Sequence, residues 1–397
     1  MKFSINSLLA ATEAPPIAEV QGWVSGSSAP ESLPLIDLLQ AVPGYPPDPS
    51  LIAHLTEAVE DIEVSRYTPI QGTEGLREAL AADIAGTYRG IVDPGQICIT
   101  AGCNQAFYAA VIALARSGDN IILAVPYYFN HRMTLDMLGI QCRFLPASEN
   151  NGFVPDPEEA ASLVDARTRA LVLVTPSNPT GAVYPPETLE RFYDLAAGRR
   201  IALILDETYR DFLPLSQARA HALFSRPAWD ETMIHLYSFS KAYSLTGYRV
   251  GALVASHSFI EQLLKIMDCL VICAPHIGQI AARFGLERLG EWRRQKRSVM
   301  AGRVEAFRHS MAELAPAWTV GSIGAYFAYL RHPLHHLAST EAARVLAVRY
   351  GMLCLPGAAF GPNQEAWLRV AFANVEAAGM PAIARRFGCV DPQTEAP

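Results

Sequence analysis

Lysine is scarce in this chain: only four of 397 residues are lysine, while arginine supplies 28 of the 32 basic side chains. Of the two, only the lysine amine can attack a carbonyl, because a guanidinium stays protonated and delocalised. Lys2 stands at the terminus, Lys265 in a helical pattern and Lys296 in the charged run Trp292-Arg293-Arg294-Gln295-Lys296-Arg297, which leaves Lys241, just past an apolar run, as the candidate for imine chemistry. Other residues suit other tasks. Gly102, Cys103 and Asn104 follow an apolar run and open a helical pattern with Phe107, Val111 and Leu114 on one face, and exposed amides beside a glycine suit a phosphate. Asp206 closes the buried-looking run Ile201-Leu205, so its carboxylate needs a cationic or hydrogen-bonding partner, although helix capping is another use for an aspartate there. Asn178 sits between Pro176 and Pro179 in a turn that presents its side chain. Tyr127 and Tyr128 are both candidates for an aromatic face, and Arg369 is the single arginine of the β-like run Trp367–Phe372.

These residues need a scaffold. From about residue 95 to 255, short apolar runs alternate with helical patterns, the signature of a mainly parallel α/β sheet. Strands are predicted at Ile97–Thr100, Ile121–Val125, Cys142–Leu145, Ala170–Thr175, Ile201–Asp206, Ile234–Ser238 and Arg249–Val254. Several are continuously apolar, as strands covered on both faces should be. Ligands of open α/β sheets gather at the carboxyl ends of the strands, where the candidates fall repeatedly. Residues 258 to 314 read as helical, with Glu287, Arg288, Glu291, Arg294 and Arg297 expected on a solvated face. The segment Val42–Pro49 reads as an extended connection.

Ser238, Lys241 and Arg249 reproduce the pattern Ser-x-x-Lys followed after seven residues by Arg, and so the segment resembles the cofactor-lysine motif of pyridoxal-phosphate aminotransferases of class I/II, fold type I, the aspartate aminotransferase superfamily. Matching elements run in family order from Tyr67 through Gly102, Asn178, Asp206, Tyr209, Lys241 and Arg249 to Arg369. The resemblance implies an α/β fold, with a three-layer αβα large domain around a mainly parallel seven-stranded sheet and a smaller α+β domain. The expected division is 1–45 for an N-terminal arm and part of the small domain, 46–275 for the large domain and 276–397 for the C-terminal small domain.

The resemblance also implies roles. Lys241 forms a Schiff base with pyridoxal 5'-phosphate. Gly102, Cys103, Asn104, Ser238 and Arg249 hold its phosphate, Asp206 its pyridine nitrogen, and Asn178 and Tyr209 its phenolic oxygen. Tyr128 is favoured over Tyr127 as the stacking ring, Arg369 pairs with the substrate carboxylate, and Tyr67 reaches the phosphate of a neighbouring subunit in a homodimer with shared active sites. Cys103 and Asn104 depart from the usual phosphate loop, and Tyr128 from the usual tryptophan. The expected reaction moves an amino group from an L-amino acid to a 2-oxo acid. A β-lyase, decarboxylase or pyridoxal-phosphate-dependent oxidase on the same scaffold remains the alternative.

Composition removes other classes. With 50% hydrophobic and 18% charged residues, a net charge of −7 and no basic patch interleaved with aromatics, the chain is globular and is not expected to bind nucleic acid. No apolar run has the length of a membrane span and the start is too polar for a signal peptide, so the expectation is a cytoplasmic protein with no membrane partner. Seven irregularly spaced cysteines suggest neither disulfides nor zinc, and most are expected to be buried. His332, His335 and His336 read as a polar loop, and no metal is expected.

Overall fold

The computed structural model describes residues 3–24 and 34–395, so residues 1–2, 25–33 and 396–397 of the expected domains lie outside the described residues. Seven strands, β1 Ile97–Thr100, β2 Asn120–Val125, β3 Gln141–Pro146, β4 Thr168–Val174, β5 Ala202–Asp206, β6 Met233–Ser238 and β7 Gly251–Val254, form one sheet. Their spatial order is β1-β7-β6-β5-β4-β2-β3, and β7 alone runs antiparallel to its neighbours. Side chains alternate between two cores. Leu171, Leu173, Leu203 and Leu205 face one helical layer, while Ala170, Val172 and Ile204 face the other. Both faces are dry, which is why these strands read as unbroken apolar runs.

A four-stranded antiparallel sheet, ordered Leu355–Pro356, Trp367–Ala371, Phe327–Arg331 and Thr319–Gly324, packs in a separate core with the helices Gly290–Leu314, Ser339–Tyr350 and Met380–Gly388. The N-terminal arm joins this unit: Ile36–Asp37 pairs in parallel with Met352–Leu353, and the helix Pro16–Val24 packs against Ser339–Tyr350. Among the described residues no helix is long and apolar enough to cross a membrane, and no cluster of His, Cys, Asp and Glu could hold a metal ion.

Some expectations need correction. Arg249 lies outside β7, in the left-handed region at φ 48°, after the single 3-10 turn Thr246–Tyr248. Pro49 opens the helix Pro49–Ala58 instead of continuing the extended segment, because a first-turn proline loses no intrahelical bond and Asp48 caps the Ser50 N–H at 2.9 Å. Arg297 is not on a solvated face; it donates to the carbonyls of Leu213 at 2.9 Å and Gln217 at 2.6 Å. Only Cys98, Cys103 and Cys354 are fully buried, and all seven thiols are free.

Candidate active site

A cavity of about 360 Å³ opens at the carboxyl edge of the large sheet. The ends of β5 and β6 deliver Asp206, Tyr209, Ser238 and Lys241 to it, and the turns after β1, β2 and β4 deliver Cys103, Asn104, Tyr128 and Asn178. Because β7 is antiparallel, its start lies at the same edge, and Arg249 just before it joins the lining. Arg369 enters from the small sheet. Phe129 lines the cavity as well, and so do Ile17, Gln40, Ala41, Val42, Thr208, Ser240 and Thr246, which were not anticipated. Tyr67 does not; it is 78% exposed on the surface of its own chain.

One end of the cavity is built for an oxyanion. Gly102, at φ +91°, caps the helix Cys103–Leu114, and a β-carbon there would collide with the Arg249 guanidinium. The Cys103 and Asn104 amides have no partner among the described residues. Arg249 donates to the Thr246 carbonyl at 3.0 Å but pairs with no carboxylate among them. The Ser238 oxygen accepts the Ser240 N–H at 3.3 Å, leaving its hydroxyl proton to donate. Helix-terminal amides, a guanidinium and a hydroxyl together suit a phosphate.

At the other end Asp206 is buried, with the Thr208 hydroxyl at 2.7 Å and N–H at 3.0 Å on Oδ1, and His131 Nε2 3.4 Å from Oδ2. Burial pushes its pKa up, but the His131 contact and the Thr208 donors outweigh it, so Asp206 stays a carboxylate below the ordinary range. His131 is itself buried, its ring stacked 3.9 Å from Phe107 and edge-on to Tyr128 at 5.3 Å. It was missed in the sequence, where its only signal is its place three residues after Tyr128 on one helix. The adjacent Glu207 points to the opposite face of the strand, where Tyr88, His221 and His235 surround it. Strand alternation thus leaves Asp206 as the carboxylate of the cavity.

Lys241 donates to the carbonyl of Ala41 in the N-terminal arm, and burial, then the charges of Arg249 and Arg369, lower its pKa to about 8. About a tenth is therefore a neutral amine near pH 7, far more than for an ordinary lysine. Arg369 is 2% exposed and donates to the Leu39 carbonyl and, at 3.2 Å, to Asn178 Oδ1. Its Nε has no partner and no carboxylate pairs with it among the described residues, and burial lowers its pKa to about 10. An unpaired buried guanidinium is costly, so the cavity is prepared for a carboxylate. Tyr326 and Phe360 stand just behind the lining, with the Tyr326 hydroxyl on the Lys241 carbonyl at 3.3 Å and the Phe360 ring 5.3 Å from the Arg369 guanidinium carbon.

The profile of the aminotransferase class I and II family matches residues 34–387. This chain belongs to that family. The aminotransferase is 28% identical to the aromatic aminotransferase ISS1 of Arabidopsis thaliana over 381 residues, 94% of this chain and 93% of that protein. It is 28% identical to the methionine aminotransferase of Escherichia coli K12 over 323 residues, 79% and 81% of the two chains. The aspartate aminotransferase from Thermus thermophilus shares its fold, with a TM-score of 0.87 over 97% of this chain and 99% of that one at 23% identity. Aminotransferases of this class use pyridoxal phosphate. The donor set fits that group: a phosphate cradle, a carboxylate held in its charged form, an aromatic wall and a lysine amine of lowered basicity converge on one cavity.

Proposed function

We propose that this aminotransferase works through Lys241, Asp206 and Arg369 and takes L-amino acids with neutral side chains as donors. When bound, pyridoxal phosphate supplies the aldehyde that captures the amino group and a ring that withdraws electrons from the bonds at Cα. The amides of Gly102, Cys103 and Asn104, with Ser238 and Arg249, hold its phosphate. Asp206, as a carboxylate, holds a protonated ring nitrogen, Asn178 and Tyr209 hold the phenolic oxygen, and Tyr128 covers the ring. Arg369 binds the substrate carboxylate through two parallel N–H groups and so orients Cα toward Lys241. Lys241 Nζ then takes and returns the Cα proton, a task suited to an amine with a pKa of about 8.

What carries this reading is the buried Arg369 guanidinium, without a carboxylate partner among the described residues, in the same cavity as Lys241. With Arg249 assigned to phosphate, no guanidinium remains among the described lining residues for a second carboxylate, which supports a neutral donor; the names of two relatives, aromatic and methionine aminotransferase, agree, whereas others are aspartate aminotransferases. Adding single amino acids to the purified holoenzyme should convert the cofactor spectrum to that of pyridoxamine phosphate, with one 2-oxo acid formed per site. Ammonia release with the starting spectrum restored would instead indicate a lyase or an oxidase.

We further propose a homodimer in which Tyr67 reaches the partner's site, supported by its 78% exposure beside Ile62 at 68% and Val59 at 60%. Sedimentation should return twice the mass of the 43.2 kDa chain, and a monomer would contradict shared sites. The division 1–45, 46–275 and 276–397 is proposed with the helix His276–Arg288 at the seam, since that helix packs on Glu74–Tyr88 of the large unit.

A further inference from the structure

A second cavity of about 300 Å³ lies on the far side of Phe129, whose side chain lines both chambers. Its wall is mixed: Val20 and Trp23 from the helix Pro16–Val24, Met133 from the helix Phe129–Met137, and Tyr127 and Ala359 from the flanking loops give it an apolar side, and Glu13, Glu19, Arg132, Asp136 and Thr340 a polar one. Aromatic contacts lead to it from the carboxylate site. The Arg369 guanidinium carbon lies 5.3 Å from the Phe360 ring, and that ring is 6.0 Å from Phe129. The charge at its rim is acidic. Glu13 and Glu19 are exposed there, and the one arginine, Arg132, is tied to Asp136 at 2.7 Å.

We propose that this second chamber is the subsite for the side chain of the amino donor, that it takes a large neutral side chain, and that Phe129 is the partition between it and the reacting centre. The proposal rests on the aminotransferase reading above and deepens it. A donor whose carboxylate is held by Arg369 meets Phe129, which Phe360 backs, with its side chain and displaces the partition to reach the chamber. The apolar side, with Val20, Trp23 and Met133, rewards burial of an aromatic or long aliphatic group. A second carboxylate finds three acidic groups, Glu13, Glu19 and the Arg132-paired Asp136, and no unpaired cation among the described lining residues, so dicarboxylic donors are selected against.

The test compares L-phenylalanine with L-alanine in the holoenzyme and in two variants that fill the chamber from different walls, Met133→Trp and Val20→Phe. In each, kcat/KM for L-phenylalanine should fall about tenfold or more while that for L-alanine stays within about twofold. The non-reacting 3-phenylpropanoate should lose affinity in proportion, measured calorimetrically, and acetate should not. Equal losses for both amino acids, or an unchanged preference in both variants, overturn the subsite. A wild-type enzyme that converts L-alanine without preferring L-phenylalanine overturns the subsite alone; one that converts no amino acid overturns the aminotransferase reading as well.

Discussion

Lys241→Ala is expected to lower turnover by about four orders of magnitude while the protein still binds pyridoxal phosphate. The two effects separate because the proposed phosphate contacts of Gly102, Cys103, Asn104 and Arg249 do not involve the amine, whereas no other lysine among the described residues lines the cavity. Equilibrium dialysis reads the binding and single-turnover absorbance reads the chemistry; turnover within tenfold of wild type would contradict the assigned role. The lowered basicity of Lys241 adds a pH signature. The neutral amine is the nucleophile, and burial, reinforced by Arg249 and Arg369, brings the pKa from an ordinary 10.5 to about 8. Capture of the cofactor by cofactor-free protein should therefore level off above pH 8 and slow about tenfold for each pH unit below it. A rate still climbing toward pH 10 would show that Lys241 is an ordinary surface-like amine.

Asp206→Ala should cost about a thousandfold in proton removal from Cα, with cofactor affinity reduced far less. A fixed negative charge in a dry site stabilises a ring cation much more than water would, and His131 with Thr208 keeps that charge in place against the burial that opposes it. Asp206→Asn separates charge from shape, because the amide keeps the volume and a hydrogen-bonding oxygen but no charge. Both variants should slow deuterium exchange at the donor's Cα in heavy water by similar factors. Wild-type exchange in either would remove Asp206 from the chemistry.

The sheet was legible because its strands are apolar on both faces, so Ile121–Val125 or Ile201–Leu205 could be read without knowing a partner strand. The boundary before β7 was not, since Arg249 adopts the left-handed region, against the preference of a non-glycine residue. Lys241, Asp206, Asn178, Cys103 and Asn104 were visible because each follows a strand at the edge where ligands gather. Ile17 and Gln40 to Val42 were invisible for the opposite reason. Gln40 to Val42 follow Ile36–Asp37, which pairs with Met352–Leu353 more than 300 residues away, and Ile17 lies on the helix Pro16–Val24, which packs against Ser339–Tyr350; no local pattern encodes either contact. His131 looked like any helical histidine until Asp206 was found beside it, and Arg297 looked solvated until the Leu213–Gln217 loop was seen to cover it.

The central claim is that Lys241 carries the cofactor. Borohydride reduction of the holoenzyme followed by peptide mapping should place one stable pyridoxyl group per chain on the peptide containing Ser238, Lys241 and Tyr243. A label on Lys2, Lys265 or Lys296, or no label on a protein that still transfers amino groups, would contradict it.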